Sequence, residues 1–154
     1  MKIGVISDTH NFLDPKIAEL FAGVGHILHA GDIGLPWILA ELELVALVTA
    51  VAGNTDDPAL RYAPAKSVKL AGRNFFLQHI VHPQELEKGR QPRFRRAHPD
   101  AVVFGHTHKA FNETIDGVRY LNPGYAGKPK FGLERSVAIL HCDGKGMRVE
   151  FLPL

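Results

Sequence analysis

The sequence predicts a layered α/β fold with more than one β-sheet, and three features carry that expectation. Short apolar runs rich in β-branched residues alternate with helical segments through the first third of the chain, the pattern of parallel strands joined by helical crossovers. Strand-like runs dominate the second half and are separated by Gly-containing turns, which marks hairpins and a more antiparallel arrangement. The chain has 154 residues, 45% of them hydrophobic, which is enough to bury a sizeable core within one domain over residues 1–154.

The elements run in order along the chain. "KIGVIS" is too short for a helix and fits a buried strand. "DTHNFLD" is then a loop, and Pro15 is placed as the first residue of a helix running to about Phe21. "HILHA" is a second strand. "LPWILAELE" reads as a helix with Pro36 near its start, and "LVALVTAVAG" as the next buried strand, ending at Gly53-Asn54. "KSVKLAGRNFFLQH" is a strand pair turning at Ala71 to Asn74. "HPQELEKGR" reads as a short helix with Pro83 in its first turn, and "DAVVFGH" as another buried strand. "FNETIDGVRYLNPG" turns at Asp116-Gly117, and "SVAILHCDGKGMRVEFL" is a last hairpin around Asp143-Gly144.

Composition excludes several classes. The net charge of +2 gives no ground for nucleic acid or a membrane surface as a partner. One cysteine, Cys142, rules out an intrachain disulfide. No apolar run is long enough to span a bilayer, and the N-terminus reaches acidic residues too early for a secretion signal. The expectation is a soluble cytoplasmic protein, and a homo-oligomer is compatible with the sequence.

The residues just past each apolar run are more informative. After "KIGVIS" comes Asp8-Thr9-His10, after "HILHA" Gly31-Asp32, and after "LVALVTAVA" Gly53-Asn54-Thr55-Asp56. After "NFFLQ" comes His79, and after "AVVF" comes Gly105-His106-Thr107-His108. Ligands of α/β sheets gather outside the carboxyl ends of strands. A lone His-x-His pair would carry little weight among nine histidines. Five strand ends carrying Asp, Asn and His are a different matter. Carboxylate and amide oxygens mixed with imidazoles suit Mn²⁺, Fe, Zn²⁺ or Ni²⁺.

In order and spacing, D-x-H, G-D, G-N, a later His and G-H-x-H resemble the calcineurin-like metallophosphoesterases over residues 8–108. The short chain and "GNTD" resemble their small uncapped bacterial and archaeal phosphodiesterase branch. The resemblance implies an α-β-β-α sandwich of two mixed sheets flanked by helices. It also implies two divalent transition-metal ions, Mn first, and a small phosphoester substrate. One ion would take Asp8, His10, Asp32 and His108, and the other Asp32, Asn54, His79 and His106, with Asp32 as the bridge. Two ions ~3.5–4 Å apart would clamp an in-line displacement on a phosphodiester, with water held between them as the nucleophile. Asn54 and Asp56 would act at the phosphate. Many relatives carry a histidine at the position of Asp56, where it can serve as an acid. An ordinary Asp is ionised at pH 7 and is a poor acid.

The fourth motif departs from the branch, which carries His-Gly-His there. Here it reads "HIVH", with Ile80 in place of the glycine; His79, directly after the strand "NFFLQ", is the expected ligand and His82 the alternative. His29 is expected to pack or to support the site, and Trp37 to serve core or interface. Arg90, Arg93, Arg95 and Arg96 form the one basic cluster, expected first as a solvated loop, with attraction of a phosphorylated substrate or grip on a polyanion such as nucleic acid as the alternatives. "NPGY" at Asn122 to Tyr125 resembles the family's late "NPGS" landmark, with Tyr in place of Ser. The competing function is an interaction scaffold on the same fold with little or no catalysis, as in the retromer-subunit branch.

Overall fold

The structure is a computed structural model that describes residues 1–84 and 92–154, without the Arg95 side chain. Two five-stranded sheets stack face to face. The first has the order β10-β9-β1-β2-β3, with β1 (Lys2–Ile6), β2 (His26–His29) and β3 (Val48–Ala50) parallel. The hairpin β9 (Ser136–Asp143) and β10 (Gly146–Pro153) adds antiparallel to β1. The second sheet has the order β4-β5-β6-β8-β7. In it β5 (Arg73–Gln78), β6 (Ala101–Val103) and β8 (Val118–Asn122) run parallel, and β4 (Ala65–Leu70) and β7 (Phe111–Ile115) are antiparallel edges.

Alternation along the strands explains the layers. Ile3, Val5, Leu28 and Ala30 face inward against Phe75, Leu77, Val103 and Leu121. The other face of the first sheet carries Ile6 and Ile27, covered by Ile17 of α1 (Ile17–Leu20), Phe21, and Ile38 and Leu42 of α2 (Trp37–Glu43). The outer face of the second sheet carries Phe76, Val102 and Tyr120 under Phe94 and Ala97 of α3 (Pro92–Ala97). All four residues of "HILH" are buried because both faces of β2 are covered. The expected α-β-β-α sandwich of two mixed sheets is therefore the observed one.

Local expectations were less accurate. The run "LVALVTAVAG" forms a strand only over Val48–Ala50. Its first residues finish the last turn of α2, where Leu42 O accepts from the Ala46 amide, and Leu44 and Leu47 point to solvent. The helix expected from Pro15 is a single turn, and a 3-10 turn at Pro58–Leu60 was not foreseen. The basic stretch is not a loop throughout, since Pro92–Ala97 is helical and packs Phe94 edge-on to Phe76 at 6.0 Å. Most of the helix expected over "HPQELEKGR" lies outside the described residues, as does Arg90.

Candidate metal centre

The carboxyl ends of β1, β2, β3, β5 and β6 meet at one edge of the sandwich. The loops after β1 and β2 continue the parallel ladder past the strands. Asp8, His10 and Asn11 donate their amides to the carbonyls of Gly31, Asp32 and Ile33 at 2.9–3.0 Å. The loops after β5 and β6 are tied by the Gly105 amide to His79 O, 3.0 Å. Glycines let these loops touch the acids. A Cβ on Gly53 would run into the Asp32 carboxylate, and one on Gly105 would lie 2.7 Å from Asp8 Oδ2 and collide with Ser7 Oγ.

Two groups of candidate ligand atoms result. Asp8, His10 and His108 form one, and Asp8, Asp32 and His79 the other. Asp8 Oδ1 lies 3.3 Å from His108 Nε2 and 3.9 Å from both His10 Nε2 and His79 Nε2. Asp32 Oδ2 lies 3.3 Å from His79 Nε2 and 3.7 Å from His10 Nε2. Both carboxylates thus stand between the two groups, so the shared position expected for Asp32 alone is geometrically open to Asp8 as well. His106 is beside the second group, with its Nδ1 2.9 Å from Asn54 Oδ1 and its amide donating to Asp8 Oδ2 at 3.2 Å.

His82 is exposed and lines a separate groove with Phe111, Glu113 and Ile115. His79 is the fourth-motif histidine that joins the cluster. Asp56 is near the centre but turned elsewhere: its Oδ1 accepts from the Gly34 amide and its Oδ2 from the Gly53 amide, both at 2.8 Å. Both oxygens brace loops, so the expected role as a group acting on the phosphate has no support in this geometry.

The donor set fits a cation. The Nδ1 of His79 lies 2.7 Å from Ala30 O, which fixes the proton on Nδ1 and aims the Nε2 lone pair at the acids. Asp8 Oδ1 and His79 Nε2 are both buried without a hydrogen-bond partner. Buried lone pairs that converge are costly unless a proton or a metal ion lies among them. The electrostatics say the same. Burial pushes the Asp8 carboxyl up. For Asp32 burial also pushes up, but His79 and the Thr55 amide outweigh it and hold the pKa below the usual carboxylate range. Burial pushes His79 down, but Asp32, Ala30 O and Asp8 outweigh it and raise the pKa.

Supporting side chains surround this set, and several were not singled out from the sequence. The His29 ring is fully buried, its Nδ1 accepts from the Gly31 amide at 3.2 Å, and its Nε2 therefore donates to Thr9 Oγ1 at 3.0 Å. The Thr9 hydroxyl donates in turn to Ile33 O at 2.8 Å, which pins the residue between Asp8 and His10. Burial drops the His29 pKa to about 3. Thr55 donates its amide to Asp32 Oδ1 and places its hydroxyl 3.4 Å from His10 Nδ1. Buried Asn122 donates to Gly105 O and to Thr107 Oγ1, so the "NPGY" stretch holds the "GHTH" loop. The Tyr125 ring packs 4.7 Å from the His108 ring and 6.0 Å from that of His10. The only sequence signal for Asn122 and Tyr125 was their place in that landmark. Asp8, His10, Asp32, His106 and His108 all have positive φ, from 45° to 69°. Each non-Gly residue there stores ~1–3 kcal/mol of strain, and such strain collects at functional sites.

The family model of the calcineurin-like phosphoesterase superfamily domain matches residues 1–145. The chain belongs to that superfamily. This calcineurin-like chain is 32% identical to a probable metallophosphoesterase of Methanothermobacter thermautotrophicus, covering 99% of this chain and 92% of the relative. It is 31% identical to the phosphodiesterase MJ0936 of Methanocaldococcus jannaschii, covering 80% of this chain and 83% of that protein. Among solved structures, an archaeal phosphodiesterase superposes with a TM-score of 0.78 at 29% identity, over 99% of this chain and 100% of the other. The zinc complex of Vps29 from Entamoeba histolytica superposes with a TM-score of 0.75 over 99% of both chains. At 19% identity it shares the fold alone.

Proposed function

We propose that this calcineurin-like chain is a metal-dependent phosphodiesterase with a dinuclear centre at the strand ends. The observation that carries the reading is that Asp8 Oδ1 and His79 Nε2, buried and without hydrogen-bond partners, stand with Asp32, His10 and His108 in two adjoining groups of candidate ligand atoms. Relatives named as phosphodiesterases support the reaction class. Asp8, His10, Asp32 and His108 would hold one ion, and Asp32, Asn54, His79 and His106 the other. Mixed carboxylate, amide and imidazole donors favour Mn²⁺, with Fe, Zn²⁺ and Ni²⁺ compatible. When bound, such ions supply Lewis acidity at phosphorus and an activated water.

The chain's own residues do the positioning. Ala30 O holds the His79 tautomer, and Thr55 orients both Asp32 and His10. Asn54 and His106 sit together on the exposed side, where an anionic phosphate would arrive. No serine, cysteine or histidine is required as a covalent nucleophile. The test is metal content after dialysis together with hydrolysis of bis-p-nitrophenyl phosphate. The expected result is near two divalent ions per chain and metal-dependent turnover. Two bound ions without turnover would favour an interaction scaffold on the same fold, and failure to bind any divalent ion would end both the metal and the enzyme reading.

A further inference from the structure

Two open grooves meet at Arg93. One, of about 360 Å³, is lined by Asn54, His79 and Arg93 and so opens beside the candidate ligands. The other, of about 400 Å³, runs between the edge strand β4 and α3, with Arg93 and Arg96 beside a floor that includes Phe76. Ala65 and Arg93 border both. The β4–β5 register shows why they join. Ala65 lies opposite Gln78, the residue before His79, and Ser67 lies opposite Phe76, so both are on the face that α3 covers. A ligand leaving the metal centre along this face of β4 therefore meets Arg93 and Arg96 of α3.

The charge along this path has one sign. Among the described residues no carboxylate lines either groove, and Arg93 and Arg96 take part in no ion pair. Arg93 and Arg96, one helical turn apart and without acidic partners, are free to take an anion, and the arginine fork suits phosphate oxygens. The scissile phosphate needs none of them, because the Asp and His cluster is placed to hold it through metal. Their use is for a second anionic group on the same molecule.

Resting on the phosphodiesterase reading, we propose that the groove from Asn54 and His79 to α3 is a subsite for a second phosphate. The substrate class it selects is a small phosphodiester that carries a further phosphate on the same sugar or alcohol unit. The grooves are sized for a ligand of that kind rather than a long chain. The net charge of +2 is also low for a nucleic-acid binder.

The experiment compares thymidine 5′-(p-nitrophenyl phosphate) with the same ester phosphorylated at the 3′ oxygen. The readout is the ratio of their kcat/KM values within each protein. Two exposed arginines acting together should give a ratio of about ten in the wild type. The ratio should fall below about three in Arg93→Gln/Arg96→Gln, and should shrink in the wild type as salt is raised. A wild-type ratio near one, or a ratio that the double variant leaves intact, overturns the subsite while the phosphodiesterase reading stands. Calorimetry with thymidine 3′,5′-bisphosphate against thymidine 5′-monophosphate provides a second readout that needs no turnover. The bisphosphate should bind about tenfold tighter, and equal affinities would count against the subsite even if no ester were hydrolysed. A single-stranded oligonucleotide binding a hundredfold tighter than the bisphosphate, with a steep salt slope, would overturn the small-substrate class in favour of nucleic acid.

Discussion

Replacing His29 with glutamine should flatten the acid side of the stability profile. The ring is fully buried between the Gly31 amide and the Thr9 hydroxyl and has a pKa of about 3, against 6.5 for a free histidine. Between those values the unfolded chain binds a proton at this residue and the folded chain does not. Stability therefore rises with pH by ~1.4 kcal/mol per unit from this residue, is complete above pH 6.5, and is lost on acidification. From pH 7 to pH 4.5 the loss amounts to roughly 3 kcal/mol. Glutamine can accept from Gly31 and donate to Thr9, yet does not titrate. The assay is urea unfolding of chelator-treated protein at half-unit steps over that range. The variant should begin less stable at pH 7 and lose roughly 3 kcal/mol less on the way down. Superimposable slopes for the two proteins would show that His29 is not held neutral in the fold.

Three further outcomes concern the metal centre. Asp32→Asn should cut metal content from two ions toward one or none and lower kcat/KM by at least ~100-fold, because an amide supplies no charge where both groups meet; elemental analysis with a diester assay reads both. His79→Ala should weaken metal binding strongly, while His82→Ala, on a separate groove, should leave a metal titration within about twofold of wild type. Gly105→Ala pushes a methyl into Ser7 and Asp8 and should cost ~1–3 kcal/mol by thermal unfolding, with a parallel loss of metal affinity.

The sequence was most legible where one physical rule acts alone. Five strand ends followed by Asp, Asn or His, three of them through a Gly, pointed to the cluster, because open turns at a strand's carboxyl edge are where a chain can approach an ion. Strand length was less legible. "LVALVTAVAG" reads as one apolar run, but the turn that ends α2 uses its first residues and leaves Leu44 and Leu47 in solvent. The helix of the basic stretch was hidden because its signal is Phe94 and Ala97 packing on Phe76, a tertiary contact. The tautomer of His79 and the positive φ of five candidate ligands are set by partners distant in sequence, such as Ala30 O. Composition and spacing carry no trace of them.

Asp56 sharpens the difference between a residue's position and its direction. The family resemblance puts a leaving-group acid two residues after Asn54. Here both carboxylate oxygens accept backbone N–H groups, one from the loop after β2 and one from the loop after β3. The second of these, Gly53, lies against the Asp32 carboxylate, so Asp56 sets how Asp32 meets the centre. A neutral imidazole has one acceptor nitrogen and cannot replace two carboxylate oxygens. Asp56→His should therefore lose ~1.5–3 kcal/mol of stability and bind metal less well, rather than gain an acid. With no proton donor at this position, the wild type should hydrolyse aryl diesters far faster than alkyl ones. Diesters should also outrun dianionic monoesters. A matched leaving-group series in both proteins decides between the two roles. Faster turnover of alkyl esters by Asp56→His would mean that this position reaches the departing oxygen and that the bracing of Gly34 and Gly53 is dispensable.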